Sequence, residues 1–440
     1  MSGDPGGDAP LPASASRDRA DGGAGRERAY DRFVEGNLKR NYLAHFTHGM
    51  LGMTGFRLIF APTFVPAYLH MLTGSPFLVG LGQALIQAGA IASPVMGAAQ
   101  IEHRRHVMPA AMTIGVLMRL QLLGLALAGW FLTGNLLLLA TFGFLLLFGF
   151  FLGSQRVAFQ VVLAKVIPIR LRGRLQAWRN LAGGAIAAGL SWWAGVYLID
   201  PNVFGNGYAT TFMMAFLLTS AGLAALWIFM REPSSPTVKA QMSVLQRIRD
   251  FPVLLADRDY RNFLLALVFA TMGRIAVPFC IIHAGRQMEV DGAAIGLFSL
   301  AFLGADTATN LIWGTAGDRY GFRITFIGTV VVWLLSLAGM IVAAAPWQFL
   351  LAFFGLGAAM SGNMMSVTTL VLEFGHRDDI PMRLALSTTA ETSVATLGPL
   401  LGGVIAALFG LVPVFLLAIV CLAIALCILV LGVREPRSLK

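Results

Sequence analysis

Charge is scarce in this sequence. Only 12% of its 440 residues are Asp, Glu, Lys or Arg, about half the share usual in a soluble domain, whereas 57% are hydrophobic. A water-soluble chain of this length would form two or three domains and could not cover so much apolar surface, so the chain reads as an integral membrane protein. Cysteine is sparse too. Cys280, Cys421 and Cys427 lie inside apolar runs, an odd number without ligand spacing, which implies neither a disulfide framework nor a zinc site. There is no G-x-S-x-G elbow, H-E-x-x-H pair, cysteine–histidine cluster or phosphate-cradling loop. Gly355, Gly357 and Met360 make only an incomplete dinucleotide fingerprint inside an apolar run. An intramembrane enzyme is therefore disfavoured, and no catalytic residue, metal or cofactor is expected. Residues 1–29 lack the apolar core of a signal peptide; rich in Gly, Ala, Ser, Asp and Arg, they read as a disordered tail.

Acidic residues are outnumbered by basic ones, giving a formal net charge of +10. Basic chains often bind nucleic acid, but here the positive residues sit in short segments between apolar runs, which is a pattern of membrane topology. Stretches of about 20 apolar residues number twelve: 43–70, 76–98, 107–131, 136–162, 175–199, 208–230, 262–284, 293–313, 324–344, 347–371, 384–409 and 413–433. They are long and apolar all round, which excludes the alternating strands of a barrel. Of the 32 Lys and Arg, 27 fall in the tail, in every second loop (with Arg179 at the start of span 5) or at the C-terminus. The excess of positive charge on cytoplasmic segments places both termini in the cytoplasm.

The chain also repeats itself. Arg40-Asn41-Tyr42-Leu43 opens span 1 and Arg261-Asn262-Phe263-Leu264 opens span 7; Pro168-Ile169-Arg170-Leu171 precedes span 5 and Pro381-Met382-Arg383-Leu384 precedes span 11; Arg231-Glu232-Pro233 closes span 6 and Arg434-Glu435-Pro436 closes span 12. Three matches in the same order imply two six-span halves. The domains expected are a disordered cytoplasmic tail (1–40), an N-terminal bundle (41–230), a cytoplasmic linker (231–260), a C-terminal bundle (261–433) and a short tail (434–440). Within the linker Val238, Met242, Leu245 and Ile248 recur at helical spacing, as in a helix lying on the membrane surface or packed on the protein.

Between spans 8 and 9, Gly314, Asp318, Arg319, Gly321 and Arg323 stand at the spacing G-x-x-x-D-R-x-G-x-R. This loop resembles that of the major facilitator superfamily of secondary transporters. With twelve spans and a 6+6 repeat, the resemblance covers nearly all of the chain after residue 40. It implies an all-α membrane protein with twelve transmembrane helices in two pseudo-symmetric six-helix bundles, in which this loop latches one conformational state. The equivalent first-half loop departs from the pattern: Gly97 is followed by Glu102, His103, Arg104, Arg105 and His106. Two drug-exporter markers are also missing. Span 4 has Leu145 where such exporters often carry arginine, and span 5 lacks the glycine–proline signature, of which Gly398-Pro399 in span 11 is a displaced echo suited to close packing and a kink.

Ionisable residues inside spans are costly and mark function by default. At 1.5 Å per helical residue, Arg57, Arg156 and Arg274 lie roughly 18–21 Å from the cytoplasmic edge. The resemblance puts spans 1, 4, 7 and 10 around a central cavity, so three guanidinium groups at one level suggest a site for a carboxylate, phosphate or sulfonate. The alternative is that each locks helix packing, the expected role of Arg119 on peripheral span 3. Asp306 and Glu391, both about 12 Å deep, are the candidates for proton coupling; an ion pair between halves is the alternative, with Arg179 a possible partner of Asp306. His45, His48 and His70 suit interfacial hydrogen bonds, and Trp192 and Trp193 an aromatic belt. The reading that follows is a monomeric plasma-membrane permease of a bacterial inner membrane, moving a small, anionic organic solute by alternating access with protons as coupling ion. It has no nucleic-acid partner. A proton-driven drug or metabolite exporter and a non-transporting receptor or assembly factor are the alternatives.

Overall fold

The computed structural model describes residues 28–101, 104–234, 255–374 and 380–435. Among them every regular element is helical, and eleven helices are long and apolar enough to cross a membrane. The remaining run forms the 26-residue helix Pro76–Ile101. Spans 1 to 6 are Leu38–Thr73, Pro76–Ile101, Met108–Phe131, Gly134–Val166, Ile169–Ala194 with the wider turn Gly195–Ile199, and Gly207–Phe229. Spans 7 to 12 are Arg258–Gln287, Gly292–Tyr320, Phe322–Val342, Pro346–Glu373, Ile380–Phe409 and Leu411–Leu431.

The halves repeat each other in packing as well as in sequence. Span 1 packs on 5 and 6, span 2 on 4, and span 3 on 4 and 6; span 7 likewise packs on 11 and 12, span 8 on 10, and span 9 on 10 and 12. The repeated tetrapeptides have matching tasks. Asn41 ties the start of span 1 to the end of span 6 through Arg231, its Nδ2 donating to the carbonyl at 3.0 Å and its Oδ1 accepting from the amide at 2.8 Å. Asn262 ties span 7 to the end of span 12 by donating to the Gly432 carbonyl at 2.6 Å. Glu232 accepts from the Val107 and Met108 amides at 2.7 and 2.9 Å and pairs with Lys165. Glu435 sits against Gly321, where a methyl group would come within 2.6 Å of its carboxylate. Gly321 also has φ +94°, a backbone that a side chain strains, so both constraints select glycine in the turn between spans 8 and 9.

Three details differ from the sequence reading. Residues 28–36 are helical rather than part of a disordered tail. Tyr30 donates to the Lys165 carbonyl at 2.7 Å and Val34 is buried, because Tyr30, Phe33 and Val34 form an apolar strip at helical spacing. Spans 1 and 7 are broken. Span 1 stops at Phe60 and restarts at Phe64, around Pro62, which has no N–H to continue the helix. Span 7 passes through the tight turns Gly273–Ile275 and Val277–Phe279, with Pro278, before Cys280–Gln287. Residues 1–27, the linker face of Val238, Met242, Leu245 and Ile248, Glu102 and His103, and the last five residues lie outside the described residues.

Contacts between the halves concentrate at the end of the molecule opposite the basic loops. Span 2 packs on span 11, where Gly80 abuts the Pro399 carbonyl and Gly403 abuts the Phe77 backbone. Span 5 packs on span 8, where Gly195 meets Gly292 and Gly296 meets Trp192. Small residues let these backbones approach closely, which is how helices pack in lipid. At the basic end the ion pairs Lys165–Glu232, Arg383–Asp257 and Arg434–Asp259 each join residues of one half.

Candidate functional site

The five charges singled out inside the spans fall into two ion pairs and one exposed cation. Arg57 of span 1 pairs with Asp306 of span 8, and the same Nη1 donates to Thr307 Oγ1 at 3.1 Å. This pair bridges the two halves. Arg57 is one turn short of the break in span 1, and Gly184 of span 5 makes room for it: a methyl group there would lie 3.0 Å from Arg57 Nη1 and collide with Thr307. Behind Asp306, span 8 is fastened to span 10 by Ser361, which donates to the Asp306 carbonyl at 2.8 Å and accepts from Asn310 at 3.3 Å.

The second pair lies within the C-terminal half. Arg274, in the first tight turn of broken span 7, places Nη2 3.0 Å from Glu391 Oε1 on span 11. The side chains of the two pairs are 16–30% exposed. They are desolvated enough for charge to matter yet still reached by solvent. Broken helices that carry charged groups at mid-height are the usual way transporters build a site.

Arg156 is the odd one out. It is exposed and has no ion-pair partner among the described residues. On span 4 the exposed Leu136, Leu139, Leu146 and Leu147 mark the apolar outer face. At 100° per residue Arg156 points about 130° away from the middle of that face, so its exposure is to the interior. Arg57 and Arg274 thus each face a carboxylate, whereas Arg156 does not.

Arg179 does not pair with Asp306. It packs on Gly49 of span 1 and donates to Gln176 Oε1 at 3.3 Å. Arg119 has the packing role expected of it: fully buried, it donates to the Thr219 and Gly115 carbonyls at 2.8 and 2.7 Å and contacts Gln155. His48, also buried, stacks on Phe159 rather than forming an interfacial hydrogen bond. In the loop after span 8, Arg323 donates to the Leu429 and Val430 carbonyls at 3.0 and 2.8 Å. Arg319 lies over the Tyr320 ring, and Gly314 faces Met365. These contacts of the loop after span 8 stay inside the C-terminal half.

Sequence reasoning missed a cross-half clasp. The carboxylate of Asp200, in the turn after span 5, accepts from the amide of Gly292 and, at 2.9 Å, from that of Ala293. It thereby caps span 8 of the other half, where a negative charge also complements the helix dipole. Deeper in, Thr63 and Ser299 share a hydroxyl hydrogen bond of 2.5 Å between spans 1 and 8. A lone loop aspartate gives no sign of its partner in sequence. The polar pair Ser361 and Asn363 inside an apolar run is a legible signal that span 10 lines something other than lipid.

The sequence pattern of the Major Facilitator Superfamily matches residues 263–440. A "Multidrug resistance protein MdtG" of Salmonella typhimurium is 26% identical over 403 residues, 86% of this chain and 92% of that protein. A "Multi-drug resistance efflux pump PmrA homolog" of Lactococcus lactis is 29% identical over 165 residues, 37% of this chain and 40% of that protein. MdtG of Dickeya zeae is 32% identical over 167 residues, again 40% of that protein. The matches to these last two span only two fifths of the relatives' length. Among solved structures, a D-xylose-proton symporter superposes with a TM-score of 0.72 at 13% identity, over 91% of this chain and 99% of that one. A mutant of the nucleoside transporter NupG gives 0.72 at 12%, over 90% and 100%. At such identities these likenesses establish the fold.

Proposed function

We propose that the chain, whose residues 263–440 match the Major Facilitator Superfamily pattern, is a member of that superfamily and a secondary active transporter of a small, anionic organic solute, working by alternating access and coupled to protons on Asp306 and Glu391. The halves 41–230 and 261–433 rock as units about the central charges. Both termini face the cytoplasm of a bacterial inner membrane and the unit is a monomer in the bilayer. The arrangement described above, joined at the far end, is then the state open towards the cytoplasm. The loop carrying Gly314, Asp318, Arg319, Gly321 and Arg323 latches the opposite state, in which the basic end closes.

The observation that carries this reading is the Arg57–Asp306 pair across the halves. A solute carboxylate, phosphate or sulfonate competes with Asp306 for Arg57. When Asp306 takes up a proton it gives up its charge, and the guanidinium turns to the solute. Anion and proton therefore load together. The Arg274–Glu391 pair repeats the exchange on the other wall. Arg156 supplies the surplus positive charge that makes an anion the favoured occupant.

A second reading, multidrug efflux, is favoured by the relatives, which are named as multidrug resistance proteins. It reverses the sign, because a cationic drug would compete with the proton for Asp306 instead of recruiting it. A thermal-stability screen of the purified protein with anionic, cationic and neutral solutes separates the two. The anionic class should stabilise, and Arg57→Gln and Arg274→Gln should each abolish that stabilisation while leaving the unliganded protein folded. Unchanged affinity in both variants would sink the anion site.

A further inference from the structure

On the outer face of the N-terminal half, spans 2, 3 and 4 leave a cleft of about 320 Å³ near the basic end. Its floor is apolar, made by Ile114 and Leu117 of span 3 with Phe150 and Phe151 of span 4. Its rim is polar, formed by Gln100 and Arg104. Val116, Leu120, Leu146 and Leu147 flank it and are exposed, so the cleft opens sideways onto the surface that hydrocarbon covers.

Most polar atoms in the cleft already have partners. Thr113 donates to the Pro109 carbonyl and Ser154 to the Ser93 carbonyl. Arg104 uses Nε on the Gln100 carbonyl at 2.8 Å, which aims the guanidinium and leaves its two terminal amino groups for another acceptor. Arg104 and Arg105 are both exposed, and no carboxylate lines the cleft among the described residues. The segment is held rather than loose. Lys165 Nζ donates to the Arg105 carbonyl at 2.8 Å, and Glu232 accepts from the amides of Val107 and Met108 just beyond.

We infer that this cleft is a binding site for an anionic phospholipid of the leaflet at the basic end. One acyl chain lies over Ile114, Leu117, Phe150 and Phe151, and the headgroup phosphate is received by the Arg104 guanidinium, with Arg105 beside it. The inference depends on the chain crossing a membrane but not on the solute or coupling ion of the central site. The charge is complementary, since guanidinium binds phosphate through paired N–H groups, and basic pockets between helices at this level suit anionic headgroups. A free phosphate solute would match only the rim, and a zwitterionic lipid brings, beside its phosphate, a cation that the paired arginines repel.

The test compares the detergent-purified full chain with added phosphatidylglycerol, phosphatidylcholine of the same chains, or sn-glycerol 3-phosphate, read by thermal unfolding and by native mass spectrometry. Phosphatidylglycerol should raise the unfolding temperature and stay bound, with phosphatidylcholine and glycerol phosphate much weaker. Arg104→Gln should erase the preference for phosphatidylglycerol. Thr113→Trp, at an exposed position that fills the cleft without disturbing the core, should erase lipid retention while leaving solute binding intact. Equal effects of the two lipids, an effect of glycerol phosphate equal to that of the lipid, or a preference that survives Arg104→Gln would each overturn the assignment. Arg156→Gln serves as control and should leave lipid selectivity unchanged.

Discussion

Asp306→Asn is the most informative substitution, because it removes one charge of the pair that bridges the two halves in this structure. Two unit charges about 4 Å apart attract by about 4 kcal/mol at an effective dielectric of 20. Part of this is offset by the desolvation of both groups on closing. The pair is only 16% and 23% exposed, so a net bias of about 1–3 kcal/mol towards the observed state is reasonable, equivalent to roughly a 5–150-fold change in population. The neutral amide would leave Arg57 without its counter-charge, so the protein should move towards the state in which the far end is open. Spin labels at Phe204 and Phe409, which are 80% and 72% exposed on opposite halves at that end, would report the change by electron–electron distance measurement, with Cys427 replaced by Ser. The wild type should give mainly the shorter distance and the variant a larger share of a longer one. Adding Arg57→Gln should recover part of the shift, because no orphan charge then remains. An unchanged distance distribution in Asp306→Asn would refute the idea that this pair holds the halves.

Three further outcomes follow from named contacts. Asp200→Ala removes the acceptor of two span 8 amides, and loss of this charge-assisted cap, worth about 1–3 kcal/mol, should raise the longer-distance population in the same assay; no change would mean that the clasp carries no weight. Gly403→Val places a side chain where even a methyl group would lie 3.1 Å from the Phe77 backbone, so it should exclude the state joined at the far end, and a wild-type distance distribution would contradict this. Arg119→Ala removes a buried side chain and its added hydrogen bonds to the Thr219 and Gly115 carbonyls and should lower stability by about 3 kcal/mol with solute affinity unchanged; weaker binding at unchanged stability would instead place Arg119 in the site.

The fold is legible in the sequence because membrane spans are long apolar runs, and because the repeated tetrapeptides do repeated work. The Arg-Glu-Pro that closes each half supplies a glutamate for the loop between its second and third spans, so the same constraint leaves the same trace twice. The breaks at Pro62 and Pro278 are not legible from hydropathy, because apolar composition runs through them unaltered while the backbone does not. Composition alone assigns residues 28–40 to the tail, although the strip of Tyr30, Phe33 and Val34 favours a helix. The site residues stand out as charges in an apolar setting, but their pairing does not. Depth arithmetic on the Cα positions sets Arg57 deeper than Asp306, and an arginine side chain is long enough to close that difference. Asp200 is invisible for a deeper reason: its partners are backbone amides 92 and 93 residues away, and amides leave no mark in a sequence.

In the proposed cycle a solute anion displaces Asp306 from Arg57 and brings a proton with it. Calorimetric titration of the best-stabilising anion, run at one pH in buffers of different ionisation heat, measures that proton directly. Close to one proton should be taken up per solute bound through this pair, and Asp306→Asn should lose that uptake while retaining binding. Binding with no proton change, or with proton release, would contradict it, and release on binding a lipophilic cation would support the export reading instead.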